Sequence, residues 1–341
     1  MMSRREVARR RHAGLGRAVS SALAIAVLCV AANLAHAAGI QALAVAADAQ
    51  GPPLNGTVWS PCAEAAGEAM LRRLRVAGVQ DCPVEGERLP LVVISHGRGG
   101  WSGGHHDIAA ALADAGFVVA AIDHPGDTVT DMSRVDALAI WLERPAAIRR
   151  LIDFMLGVWP DAARIDRERI GFFGFSRGAY TGLAAVGGAP NFRRIAARCA
   201  DSANPGPACE RIRTQGIPAG APTRDPRIKA AVLADPPTFL FGPDDLKGVS
   251  VPIQLWASEQ GGAGVTQEAV AAAAERLPPG TEFRVVPNSA HFAFMPPCSA
   301  GQQAAVPRIC ADPPGFDRAA FHKSFNADVL AFFRKHLADR R

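Results

Sequence analysis

Beyond residue 37 this 341-residue chain has no surplus of charge, since 31 Lys and Arg stand against 31 Asp and Glu. A neutral body creates no field that would draw it to nucleic acid or to an anionic membrane, so neither is expected as a partner. The sequence has no Cys-x-x-Cys pair and no His-Glu-x-x-His spacing, the usual frames for zinc and dithiol chemistry. It has no internal repeat and no low-complexity block after residue 37. Nor does it hold the ~20 consecutive apolar residues that a membrane-spanning helix requires. With 49% hydrophobic and 20% charged residues, disorder, collagen and coiled coil are excluded as the main state.

The charge that does exist in excess is confined to the beginning. Residues 1–37 carry Arg4, Arg5, Arg9, Arg10, Arg11 and Arg17 against the single acid Glu6. An apolar run over 22–32 follows, and then Ala35-His36-Ala37, a small-x-small pattern. Basic start, short apolar core and small residues are the three parts of a cleaved signal peptide. The expected organisation is a signal peptide over 1–37, cleaved near Ala37, and a domain over 38–341 that works in a secreted or periplasmic setting. Six cysteines remain beyond it, an even number that reads as disulfides in such a setting. Neighbours along the chain pair most simply: Cys62 with Cys82, Cys199 with Cys209, and Cys298 with Cys310.

From residue 89 onward short apolar runs alternate with helical stretches, the pattern of a mostly parallel sheet flanked by helices. Strands are expected at 89–96, 117–123, 169–175, 228–234, 251–257 and 282–286. Helices are expected at 107–115, 135–156, 178–186, 266–277 and 316–337, with Pro145 kinking or restarting the second. Residues 40–47 and the stretch around Val58 read as an opening antiparallel hairpin. Residues 188–226, rich in Pro, Gly and Arg, break this rhythm and are expected to form a cap-like insertion over one end of the sheet.

Gly174-Phe175-Ser176-Arg177-Gly178 is a G-x-S-x-G segment between an expected strand and an expected helix, the setting in which a serine is raised on a sharp turn. A serine hydroxyl needs an adjacent base, and His291, after the last strand, is the candidate. The acid that would orient it is Asp235, which ends a strand before Pro236-Pro237, or Glu259, in a looser loop. Chain order Ser…acid…His allows both. Two backbone N–H groups should face the developing oxyanion. One is that of Arg177, and the other comes from His96-Gly97-Arg98-Gly99-Gly100, where Arg98 is the candidate. The glycine run lacks the spacing of a dinucleotide loop and the Walker lysine. His105-His106-Asp107 is read as structural rather than metal-binding, since adjacent histidines diverge. His124-Pro125-Gly126-Asp127 is expected to shape the pocket, and Trp101, Phe292, Phe294 and Met295 either to line it or to belong to the core. His322 and His336 fall in the final helix and are read as packing or solvent-facing.

These motifs together resemble a known family. Residues 92–97 (VVISHG), 117–126 (FVVAAIDHPG), Glu143-Arg144-Pro145, 174–178 (GFSRG), Ala234-Asp235-Pro236 and 290–298 (AHFAFMPPC) make the chain similar, over roughly residues 50–337, to secreted α/β-hydrolases of the "predicted dienelactone hydrolase" group. That group is related to platelet-activating factor acetylhydrolase and to lipase-like esterases. The resemblance implies an α/β-hydrolase fold and hydrolysis of a small-molecule ester through Ser176, His291 and Asp235, with Asp235 favoured over Glu259. It places the oxyanion donors at Arg98 and Arg177 and needs no metal or organic cofactor. An amidase or acyltransferase with the same residues, or an inactive binding module, are the alternatives. Two departures stand out. True dienelactone hydrolases have a cysteine where this chain has Ser176, and Arg177 stands where the family often has an apolar residue. The Arg177 side chain is expected either to narrow the pocket or to attract a carboxylate-bearing ester.

Overall fold

The computed structural model describes residues 37–65, 67–200 and 206–338. The expected signal peptide lies outside the described residues except for Ala37, the first residue of the first strand. Ten strands run in chain order as β1 (Ala37–Val45), β2 (Leu54–Cys62), β3 (Gly67–Leu71), β4 (Leu74–Gln80), β5 (Leu89–Ser95), β6 (Val118–Ile122), β7 (Ile165–Phe175), β8 (Ile228–Ala234), β9 (Ile253–Ser258) and β10 (Glu282–Val286). The helices are α1 (His106–Asp114), α2 (Ile140–Gly157), α3 (Arg177–Ala185), α4 (Phe192–Ala200), α5 (Pro207–Gln215), α6 (Gln267–Ala274), α7 (Ala300–Ala305), α8 (Pro307–Cys310) and α9 (Arg318–His336). All ten strands form one sheet in the order β10-β9-β8-β7-β5-β6-β2-β1-β4-β3. It is parallel from β10 to β6, then antiparallel through β2 and β1.

The continuous apolar runs are explained by burial on both faces. Along β5, Leu91 and Val93 join the core under α2, α3 and α6, while Val92 and Ile94 join the core under α1 and α9. The strand alternation therefore divides a run that looks uniform in sequence between two separate cores. A buried pair fastens α9 to α1: the His322 ring bonds Asp107 Oδ2 at 2.6 Å and the Ala293 carbonyl at 2.8 Å. Burial pushes the Asp107 carboxyl up, but the His322 bond overrides this and holds it below the usual carboxylate range. Among the described residues no helix is long and apolar enough to cross a membrane.

Three regions differ from the sequence reading. Helix α2 starts at Ile140 and runs through Pro145 without restarting. Proline leaves the Trp141 carbonyl without its i+4 donor, and the hydroxyl of Tyr180, the chain's one tyrosine, supplies the replacement at 3.2 Å. The hairpin β3–β4 was not expected, because Ala, Glu, Leu and Arg there are helix formers and its turn has Arg72 at φ 53° in place of glycine. Residues 188–226 hold two helices, α4 and α5, rather than a long loop. The disulfides join the three pairs of neighbours, with Cα separations of 6.0 Å for Cys62–Cys82, 5.4 Å for Cys199–Cys209 and 5.8 Å for Cys298–Cys310.

Replacing Asp107 with Ala leaves Nδ1 of the buried His322 ring without its partner and is expected to cost about 1–3 kcal/mol in urea unfolding. A stability equal to the parent's would mean that the pair does not hold α9.

Candidate active site

Ser176 sits between β7 and α3 with φ 54° and ψ −122°, a conformation that costs a non-glycine residue energy. Its neighbours make the turn obligatory. A side chain at Gly174 would run into the Gly178 carbonyl, and one at Gly178 into the carbonyl of Ser95 on β5. The two glycines thus let α3 approach β5 and β7 closely, which lifts Ser176 above the carboxyl ends of the strands.

The structure brings three of the residues singled out in sequence into one hydrogen-bonded line. Ser176 Oγ is 3.0 Å from His291 Nε2, and His291 Nδ1 is 2.7 Å from Asp235 Oδ2. Asp235 ends β8 at φ 50° and its remaining acceptor sites are filled by Ser258, through the backbone N–H at 2.9 Å and the hydroxyl at 2.6 Å. A carboxylate that accepts three bonds and donates none is fixed in orientation. The structure does not bring Glu259 to this line; its carboxylate accepts the Asn288 N–H at 2.6 Å on the surface. Ser258 carried no signal in sequence, since it lies 23 residues from its partner.

The amides of Arg98 and Arg177 give their N–H to no other group among the described residues. A buried carboxylate holds the Arg177 side chain and the amide next to that of Arg98. Asp127 Oδ1 accepts the Gly99 N–H at 2.8 Å, and Oδ2 accepts Arg144 and Arg177, each at 2.7 Å. The Arg177 side chain therefore neither narrows the cleft nor reaches for a carboxylate. It is turned into this cluster, bonds the Val135 carbonyl at 2.8 Å and lies 4.8 Å from the Trp141 ring centre. The local proximity of Arg177 to the serine suggested a pocket role, but its partner lies 50 residues away and could not be read from the motif.

Burial pulls Arg144 down to about 10 despite Asp127, and lowers Arg177 as well. Burial, and then the Arg144 charge, push His96 down to about 3 and His124 well below its usual value. The neutral His96 has a defined tautomer: Nε2 accepts the His124 N–H at 3.2 Å, so Nδ1 carries the proton and donates it to the Gly97 carbonyl at 2.7 Å. His124 contacts Ser95 Oγ at 2.9 Å and so supports the turn from below rather than shaping the cleft.

A cleft of about 560 Å³ opens over Ser176 and His291. Trp101, Phe292 and Met295 line it, whereas Phe294 is fully buried in the core. Another part of its wall comes from Ala305 to Ile309, on the strap of α7 and α8 closed by Cys298–Cys310. No described residue of 188–226 lines it. His105, also in the wall, is buried between Phe173 and Phe175, and neither ring nitrogen has a partner among the described residues. Burial pushes it down to about 4 against the pull of Asp107.

Residues 65–135 match the family described as platelet-activating factor acetylhydrolase, isoform II. That segment contains the Arg98 loop and ends before Ser176. Among curated proteins none matches the chain. Among solved structures, a ferulic acid esterase from Streptomyces cinnamoneus superposes with a TM-score of 0.63 at 21% identity, covering 90% of this chain and 91% of that one.

Because His96, His105 and His124 are neutral in the fold and would titrate near 6.5 when unfolded, the stability they confer is complete above pH 6.5. It is lost as pH falls toward 4 and 3. Each pH unit in that window should cost about 1.4 kcal/mol for each of His96 and His105. The melting temperature should fall steadily from pH 6.5 to 4.5, and His105→Leu, which removes a ring making no hydrogen bond, should lessen the slope. A profile flat down to pH 4.5 would show that the rings accept protons within the fold. The chain has the fold of an α/β esterase and, over residues 65–135, the sequence pattern of the platelet-activating factor acetylhydrolase isoform II family.

Proposed function

We propose that the protein is a carboxylic ester hydrolase with Ser176 as nucleophile. The observation that carries this reading is the unbroken line from Ser176 Oγ through His291 to Asp235, set on a strained turn beside two uncommitted backbone amides. The family match and the ferulic acid esterase neighbour, both esterases by description, agree with it.

In this reading His291 Nε2 takes the Ser176 proton as Oγ attacks the acyl carbon. The proton then passes to the leaving alcohol as the ester C–O bond breaks. Asp235 keeps Nδ1 protonated and stabilises the imidazolium. The Arg98 and Arg177 amides bind the tetrahedral oxyanion, which is where most of the electrostatic stabilisation arises. Water, deprotonated by the same histidine, releases the acyl group and restores Ser176. The apolar face of Trp101, Phe292 and Met295 suits an acyl or aryl group, and Arg98 and Arg308 complete the lining around it. Three disulfides fit a protein working in an oxidising compartment, outside the cytoplasm.

Hydrolysis of p-nitrophenyl esters from acetate to palmitate tests the reading. Ser176→Ala and His291→Ala should each lower kcat by about 10⁴-fold or more, and Asp235→Asn by about 10⁴-fold. A folded parent inactive on every ester would sink it, and the chain length giving the highest kcat/KM would size the cleft.

A further inference from the structure

Helix α5 of the 188–226 insertion stays out of the cleft, yet it holds the loop on which the side chains of both proposed oxyanion residues rest. Helix α5, stapled to α4 by Cys199–Cys209, meets residues 136–138 at three points. Arg211 Nη2 bonds Asp136 Oδ1 at 2.6 Å, Gln215 Nε2 donates to the Asp136 carbonyl at 3.2 Å, and Gln215 Oε1 accepts the Leu138 N–H at 2.8 Å. The same short segment receives the side chains of both oxyanion residues. Arg98 Nη2 bonds the Asp136 carboxylate at 3.2 and 3.3 Å, and Arg177 Nη1 bonds the Val135 carbonyl. Met132, just before it, lies over Gly99.

We infer that α5 is a strut for the oxyanion hole, in which Arg211 and Gln215 are positioning residues for the Arg98 amide. The inference rests on the reading of the Arg98 and Arg177 amides as oxyanion donors. Its physical basis is the steep dependence of that stabilisation on geometry: a donor works when it lies 2.7–3.1 Å from where the oxyanion will be, and losing one lowers kcat roughly 10²–10³-fold. Arg177 is fixed independently by the buried Asp127. Arg98 has the weaker hold, because its side chain and that of Asp136 are each about half exposed (48% and 50%). A carboxylate gripped from one side by Arg98 alone would swing with it. With Arg211 on its other side and Gln215 on its backbone, it becomes a fixed point. The effect belongs to the chemical step, since α5 touches no wall of the cleft and so leaves substrate binding alone.

The test compares the oxidised parent with Ser176→Ala, the double variant Arg211→Ala/Gln215→Ala, and Arg211→Lys, using p-nitrophenyl butyrate. The double variant should lose about 3- to 10-fold in kcat with KM within about twofold, a size set by a weak, solvent-screened hold on one donor. Arg211→Lys should keep most of the parent's kcat. Added salt, which screens half-exposed ion pairs, should lower kcat of the parent more than that of the double variant. Full kcat in the double variant, with a parent whose turnover depends on Ser176, overturns the strut and leaves the esterase reading standing. So does a change confined to KM, or a loss that follows a lowered melting temperature and that Arg211→Lys fails to restore. A folded parent with no turnover overturns both together.

Discussion

One carboxylate organises the ground beneath the serine. Asp127 is fully buried, and an isolated charge there would cost several kcal/mol to remove from water. It is retained because three donors converge on it: the Gly99 amide from the loop after β5, Arg144 from α2 and Arg177 from α3. These come from three elements far apart in the sequence, and the carboxylate ties them together at one point beneath the serine. One anion facing two guanidiniums leaves a positive remainder. That remainder helps keep His96 and His124 neutral, and its sign favours an anion forming above the loop. Removing either arginine alone would bring the charges into balance while leaving a void, whereas removing Asp127 would leave two buried cations unpaired.

Much of this was legible in the sequence, for identifiable reasons. The strand at β5 and the turn at Ser176 were readable because their constraints are local: a continuous apolar run, and glycines two residues to either side of the serine. Asp235 and His291 could be proposed because chain order and strand ends limited the choices. The direction of the Arg177 side chain was not legible, since nothing near it in sequence announces a buried partner at Asp127. The β3–β4 hairpin was hidden by helix-forming residues whose strand conformation is imposed by pairing with β1. The wall formed by α7 and α8 was missed because short capped turns carry almost no periodicity. Only the Cys298–Cys310 spacing hinted that a loop was closed there.

The two irregular segments divide their labour by position. Helix α5 of the 188–226 segment lies against the loop around Asp136 and touches no wall of the cleft, while the strap between Cys298 and Cys310 supplies part of the cleft's wall. Length and composition would have suggested the reverse, since the longer excursion is the usual candidate for a lid. Where a segment is anchored, rather than how long it is, decides which part of the site it meets.

The three disulfides span 20, 10 and 12 residues, so each closes a small ring. For the strap this has a consequence beyond stability. Both of its ends are fastened to each other before the chain rejoins the body at α9, so its interior can change in sequence or length without altering the registration of any strand. This part of the cleft wall is thereby a separable panel, about a dozen residues that can be rewritten while the frame of strands stays unchanged.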